Sequence, residues 1–184
     1  MSCLPYFSAA YCFKPEEMPL EEAMSTPIDP RTLRSALGTF ATGVTVMTAV
    51  SQSGDFVGNT ASSFNSVSLD PPLVLWSLAR KALSFDTYAN AKYFAVNVLR
   101  EGQDDISARF SKSSPEKWVG IDYTIWDTGC PILDHSLANF ECETKFVYDG
   151  GDHAIFVGEV LRFDHDPKGK PLVFWRGGYH RTVS

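Results

Sequence analysis

Three short stretches of the chain carry residue types suited to chemistry. Residues 56–72 read Phe-Val-Gly-Asn-Thr-Ala-Ser-Ser-Phe-Asn-Ser-Val-Ser-Leu-Asp-Pro-Pro. The start is apolar and 58–63 are small and polar, so the backbone can approach a flat ligand closely and offer unhindered donors. By composition alone a serine-rich edge strand and loop describes it as well. The second stretch, Ser77-Leu78-Ala79-Arg80-Lys81-Ala82-Leu83-Ser84, is a loop with two cations leading into a short helix, an arrangement that can hold an anion. The third, Gly150-Gly151-Asp152-His153, is a tight-turn signal that delivers an imidazole to a strand mouth. An imidazole can hydrogen-bond in either protonation state. A structural histidine at a strand start is the plain alternative.

The elements that must position these residues are legible in the pattern. Asp29-Pro30 suits a helix start, with Leu33, Leu37 and Phe40 along one face and an end expected near Thr42-Gly43. Residues 44–50 are β-branched and read as a strand, and 51–55 as the turn out of it. The next strand carries the 56–72 stretch, with the ladder expected to stop at Pro71 and Pro72, which lack N–H groups. Strands are expected over 73–78, 93–99, 123–126, 137–148, 153–163 and 172–175. Short helices are expected over 84–89 and 103–110, with a capped helical turn from 113 to 118. About seven strands with short helices between them predict a mainly β fold, a closed antiparallel barrel.

Bulk properties narrow the classes. The 184 residues suit one domain able to bury a core, and 44% hydrophobic content indicates a globular protein. A net charge of −6 argues against nucleic acid or an anionic membrane as partner, so cations near a bound phosphate must be local exceptions. No apolar run approaches a membrane span. Cysteines 3, 12, 130 and 142 form no CxxC pair and read as free thiols, Cys142 as a core filler. The four histidines show no metal-ligand spacing, and no metal site is expected. Neither a GxSxG element nor a GxGxxG fingerprint is present. Residues 1–23 match neither a secretory nor an import signal and are expected to be a flexible extension, with one domain over 24–184.

From about Ile28 to Tyr179 the chain resembles the flavin reductase domain family. The pieces that carry the resemblance are Ala41-Thr42-Gly43-Val44-Thr45-Val46, the 58–72 stretch, Phe94-Ala95-Val96-Asn97-Val98-Leu99, and Gly151-Asp152-His153 followed by Gly158-Glu159-Val160. Each is weak alone, but their order and spacing are specific. The resemblance implies a split β-barrel that binds FMN or FAD and uses NADH or NADPH. It further implies transfer of hydride to the flavin and supply of reduced flavin, by diffusion, to a separate flavin-dependent monooxygenase.

By the same resemblance Val57, Gly58, Asn59, Thr60, Ser62 and Ser63 line the isoalloxazine ring and ribityl chain. Ser77, Arg80, Lys81 and Ser84 hold the flavin phosphate, although Ala82 stands where relatives often carry a hydroxyl. Arg109 reaches phosphate and Phe110 covers the ring or adenine. His153 lies by the nicotinamide as the catalytic residue, with Phe174, Trp175, Arg176 and Gly177 completing the nucleotide pocket. A homodimer in the cytoplasm is implied as well. The rival readings are a flavin-holding split barrel without turnover and an oxidase of the wider split-barrel group.

Overall fold

The computed structural model describes residues 27–182. The extension expected at 1–23 lies outside the described residues. Asp29 caps α1 (Pro30–Leu37): its Oδ2 accepts the Thr32 N–H at 2.8 Å and the Thr32 hydroxyl at 2.7 Å. These bonds hold the Asp29 carboxyl below the usual carboxylate range. The helix ends at Gly38, earlier than expected, and its apolar side is not buried among the described residues: Leu37 is 67% exposed, and Phe40, just beyond the helix, 75%.

Thr42–Gly43 instead form β1, which pairs with β11 (Val173–Trp175). That strand turns through Arg176 and Gly177, both at positive φ, into β12 (Gly178–His180). The large sheet contains β2 (Thr45–Val50), β3 (Phe56–Ala61), β4 (Asn65–Leu69) and β5 (Pro72–Ala79). It also contains β6 (Tyr93–Val98), β9 (Ala138–Gly150) and β10 (His153–His165). Its seven strands run in the order β3-β2-β6-β9-β10-β5-β4, all antiparallel. A small hairpin of β7 (Tyr123–Ile125) and β8 (Pro131–Leu133) and two short helices, α2 (Phe85–Asn90) and α3 (Asp104–Phe110), complete the split β-barrel.

Two expectations need correction. The 56–72 stretch is two strands, not one, and the ladder does not stop at the prolines. Pro72 opens β5 opposite Leu69 of β4, a first-residue position where its missing N–H costs nothing. The turns expected over 113–118 run instead over 115–120, with the Ser114 hydroxyl accepting the Glu116 N–H at 3.2 Å at their start.

The core explains several of the motif residues without chemistry. Trp76 stacks on Phe156 at 4.9 Å, and the Tyr88 hydroxyl donates to the Met47 carbonyl at 2.7 Å. Gly158 is small because a Cβ there would lie 2.5 Å from the Phe94 ring. Asn97, fully buried, donates to the Val46 carbonyl and accepts from Leu133 N–H and Asn139 Nδ2, joining β2, β6, β8 and β9. Cys142 and Cys130 are buried free thiols. No helix among the described residues is long and apolar enough to cross a membrane.

Candidate active site

A cleft of about 700 Å³ opens where three elements meet. That volume falls in the range of small-molecule and cofactor sites. Its first wall is β3, through Phe56, Val57 and Asn59. The second is the end of β5 and the loop into α2, with Ala79, Lys81 and Ser84. The third follows α3 and includes Ser111, Ser114, Lys117 and Trp118.

The alternation of β3 sorts the residues expected to bind. Val57 and Asn59 face the cleft. Gly58 and Thr60 point the other way, toward α3. A Cβ at Gly58 would sit 2.6 Å from the Phe110 ring and 3.2 Å from Trp118, so glycine is required for packing at this position. The Thr60 hydroxyl donates to the Ser107 carbonyl at 2.7 Å. Ser62 is exposed just beyond the strand. Ser63 Oγ accepts the Ser77 N–H at 2.9 Å and donates to the Ser77 carbonyl at 3.1 Å, pinning the β3–β4 link to β5.

In the loop after β5 the two cations diverge. Lys81 lines the cleft. Arg80 instead places Nη2 2.5 Å from Asp149 Oδ1 and donates from Nε to the Gly151 carbonyl at 3.1 Å. Ser84 precedes α2 but makes no capping bond; its hydroxyl donates to Asn59 Oδ1 at 2.6 Å, joining the first two walls. With only six residues, α2 contributes little dipole, and the lysines carry the positive charge of the cleft.

Arg109 and Phe110 do not face the cleft. Phe110 is fully buried, edge-on to Trp118 at 4.9 Å, and wedges behind Gly58 rather than covering a ligand. Arg109 Nη1 donates to the Val119 carbonyl at 2.7 Å, holding the chain beyond α3.

His153 opens β10 directly opposite Ala79, a residue of the cleft's second wall, which puts it one strand away from the lining. Its Nδ1 lies 2.6 Å from Asp152 Oδ1 and its side chain is 44% exposed. That hydrogen bond is the main reason the Asp152 carboxyl falls below its ordinary pKa. Phe174, Trp175, Arg176 and Gly177 lie elsewhere on the chain's surface. Trp175 Nε1 donates to the Thr39 carbonyl at 3.0 Å and Arg176 N–H to the Gly38 carbonyl at 2.9 Å, so this hairpin packs on the end of α1. Toward β3, the Tyr179 hydroxyl is 2.8 Å from the Ser107 hydroxyl, and the half-buried Phe174 packs against the core cluster that contains Phe110.

The third wall escaped the sequence reading. Lys117 Nζ donates to the Gly58 carbonyl at 2.9 Å and Trp118 Nε1 to the Phe56 carbonyl at 3.0 Å, so both grip β3. The available signal was the Ser113-Ser114-Pro115 run with Lys117 soon after it, which shares with 77–84 a mixture of hydroxyls and cations. Together the walls suit a flat ring with a phosphorylated tail: apolar and aromatic surface from Phe56, Leu83 and Trp118, then hydroxyls and lysines.

The flavin reductase like domain matches this chain over residues 37–182. FMN reductase (NADH) SmoA of Agrobacterium fabrum is 46% identical over 151 residues, 82% of this chain and 85% of the relative. HsaB of Mycobacterium tuberculosis, the reductase subunit of a flavin-dependent monooxygenase, is 44% identical over 158 residues, 85% of this chain and 84% of the relative. A solved structure of the NADH:FAD oxidoreductase SgcE6 of Streptomyces globisporus, in complex with NAD and FAD fragments, superposes with a TM-score of 0.80. It is 34% identical and covers 86% of this chain and 98% of that one.

Proposed function

The chain belongs to the flavin reductase like domain family, and from that premise we propose that it is an NAD(P)H:flavin oxidoreductase supplying reduced flavin to a separate monooxygenase. The observation that carries this reading is the cleft itself, which joins an apolar wall to a cationic, hydroxyl-rich one beside a half-exposed histidine. A flavin held there by these walls would supply the hydride-accepting chemistry, so the protein would need no nucleophile of its own.

The chain's own residues do three things. Val57 and Asn59 of β3, with Phe56 and Trp118, present a rigid surface for a flat ring, and that surface keeps water off one side. Lys81 addresses the phosphate, and Ser84, whose hydroxyl donates to Asn59, fixes the ring wall to the phosphate wall beside it. His153, oriented by Asp152, offers a hydrogen-bonding edge for the carboxamide of a nicotinamide. Positioning two rings face to face is worth several orders of magnitude in rate, which is why such an enzyme consists largely of binding surface.

FMN and FAD both suit the cleft, as do NADH and NADPH. Phe174, Trp175, Arg176 and Gly177 belong to the nucleotide pocket in this proposal, reaching it in a homodimer. The exposed apolar side of α1, with Leu37 and Phe40, supports burial by a second copy, since large apolar patches on a monomer mark contact surfaces. Light scattering on the purified chain tests that part. We place the enzyme in the cytoplasm. No observation favours the non-catalytic flavin-binding alternative.

The deciding experiment is anaerobic stopped-flow with each pairing of NADH or NADPH with FMN or FAD. Rapid bleaching of the flavin's visible absorbance with at least one pair is the expected result. Flavin binding without any bleaching would leave only a binding module.

A further inference from the structure

We propose that the wall after α3 is a second phosphate-binding element of the cleft, with Lys117 as its cation and Ser114 as its hydroxyl donor. This rests on the flavin-binding reading above and deepens it by naming how the charged tail is held. The lining of the cleft contains two lysines, five hydroxyl side chains and no carboxylate. On a protein with a net charge of −6, that is a local reversal of sign facing one cavity.

Lys117 is the residue that best expresses it. The ammonium has three N–H donors and gives one to the Gly58 carbonyl, leaving two for the cleft it lines. It enters none of the ion pairs among the described residues. Partial burial without a neighbouring carboxylate lowers its pKa from the ordinary lysine value. A phosphate beside it offsets that loss of hydration. Lysine, a compact point charge on a flexible stem, suits such a contact.

The neighbouring hydroxyls divide by what their hydrogens already do. Ser111 Oγ donates to the Ala108 carbonyl at 2.8 Å and so can only accept from a ligand. Ser114 Oγ accepts the Glu116 N–H at 3.2 Å, which leaves its O–H to donate to a phosphate oxygen. The other wall needs this help, because Arg80 is committed to Asp149 and Gly151 and Lys81 stands alone there as the cleft's cation.

The test compares riboflavin, which lacks the phosphate, with FMN, using fluorescence titration of wild type, Lys117→Met, Lys117→Arg and Ser114→Ala. Wild type is expected to prefer FMN. Lys117→Met should lose about tenfold or more of that preference while its riboflavin affinity stays within about twofold, and Lys117→Arg should restore most of it. Ser114→Ala, which leaves the Gly58 latch intact, should lose about two- to fivefold and keeps the question open to decision if Lys117→Met fails to fold. An unchanged FMN preference in both the Lys117 and Ser114 variants overturns the proposal and leaves the reductase reading standing. Equal weakening of both flavins by Lys117→Met overturns it too, since Lys117 would then act only by gripping β3. Absence of binding of either flavin to wild type removes the underlying reading instead.

Discussion

Arg80 and Asp149 are bound together at 2.5 Å across the gap between the β5–α2 loop and the β9–β10 hairpin. The Arg80 N–H adds a bond to the Asp152 carbonyl at 2.9 Å. The loop carrying Lys81 and the turn carrying His153 are therefore tied together by side-chain and backbone bonds. Adjacent cations thus have different tasks. Arg80→Ala should raise the KM for NADH several-fold by loosening that turn while FMN affinity falls by less than about threefold. Lys81→Ala should show the reverse, with a loss of about tenfold in FMN affinity. Matched steady-state and titration data on the two variants check this, and equal behaviour would contradict it.

His153→Ala is expected to slow hydride transfer and raise the apparent KM for NADH with little change in flavin affinity. A misplacement of about 1 Å can cost on the order of a hundredfold in rate. Its side chain is 44% exposed, so the melting temperature should hardly move. A single-turnover trace with an unchanged rate would refute a catalytic role.

Gly58→Ala should cost stability through packing. The added methyl meets Phe110, which is fully buried and has nowhere to turn. Overpacking of this kind costs about 1–3 kcal/mol, or roughly 2–4 °C of melting temperature per kcal/mol in a domain of this size. Differential scanning calorimetry reads it directly. Phe110→Leu in the same background should recover part of the loss.

Tyr179→Phe removes the hydroxyl 2.8 Å from Ser107, the link between the C-terminal hairpin and α3. Ser107 in turn accepts from Thr60, so the hairpin and β3 share a support. A net loss of about 0.5–1.5 kcal/mol is expected. If the hairpin belongs to the nucleotide pocket, the KM for NADH should rise while flavin affinity is kept.

Burial pushes the Cys130 thiol up to about 11, and Cys142 higher still. Both groups hold their protons more tightly when folded, so their contribution to stability is complete below the unfolded thiol pKa. It is lost as pH rises from there through the folded values. In a Cys3→Ser/Cys12→Ser background, a thiol reagent at pH 8 should therefore leave the native protein almost unlabelled and modify two thiols on unfolding. Rapid labelling of the native state would show that neither site is closed.

Much of the scaffold was legible because its causes are local. Asp29-Pro30 starts a helix through one side chain and one missing N–H, and Gly151 turns the β9–β10 hairpin through a positive φ of 77°. β-branched runs such as 45–50 become buried strands on their own pattern. The small polar character of 58–63 and the position of His153 at a strand mouth could be read the same way, as could Lys81 and Ser84 as lining. What the sequence could not contain is which way each side chain of β3 turns, because a one-residue change of register exchanges its faces. Only the packed barrel decided that Asn59 meets Ser84 while Thr60 meets Ser107, and that Phe110 fills the space Gly58 leaves. The same holds for the two neighbouring cations: Arg80 is claimed by Asp149, 69 residues away, and Lys81 is left to the cleft. Lys117 joins the site through a bond to a carbonyl 59 residues earlier. Contacts across such separations exist only once the chain has closed on itself.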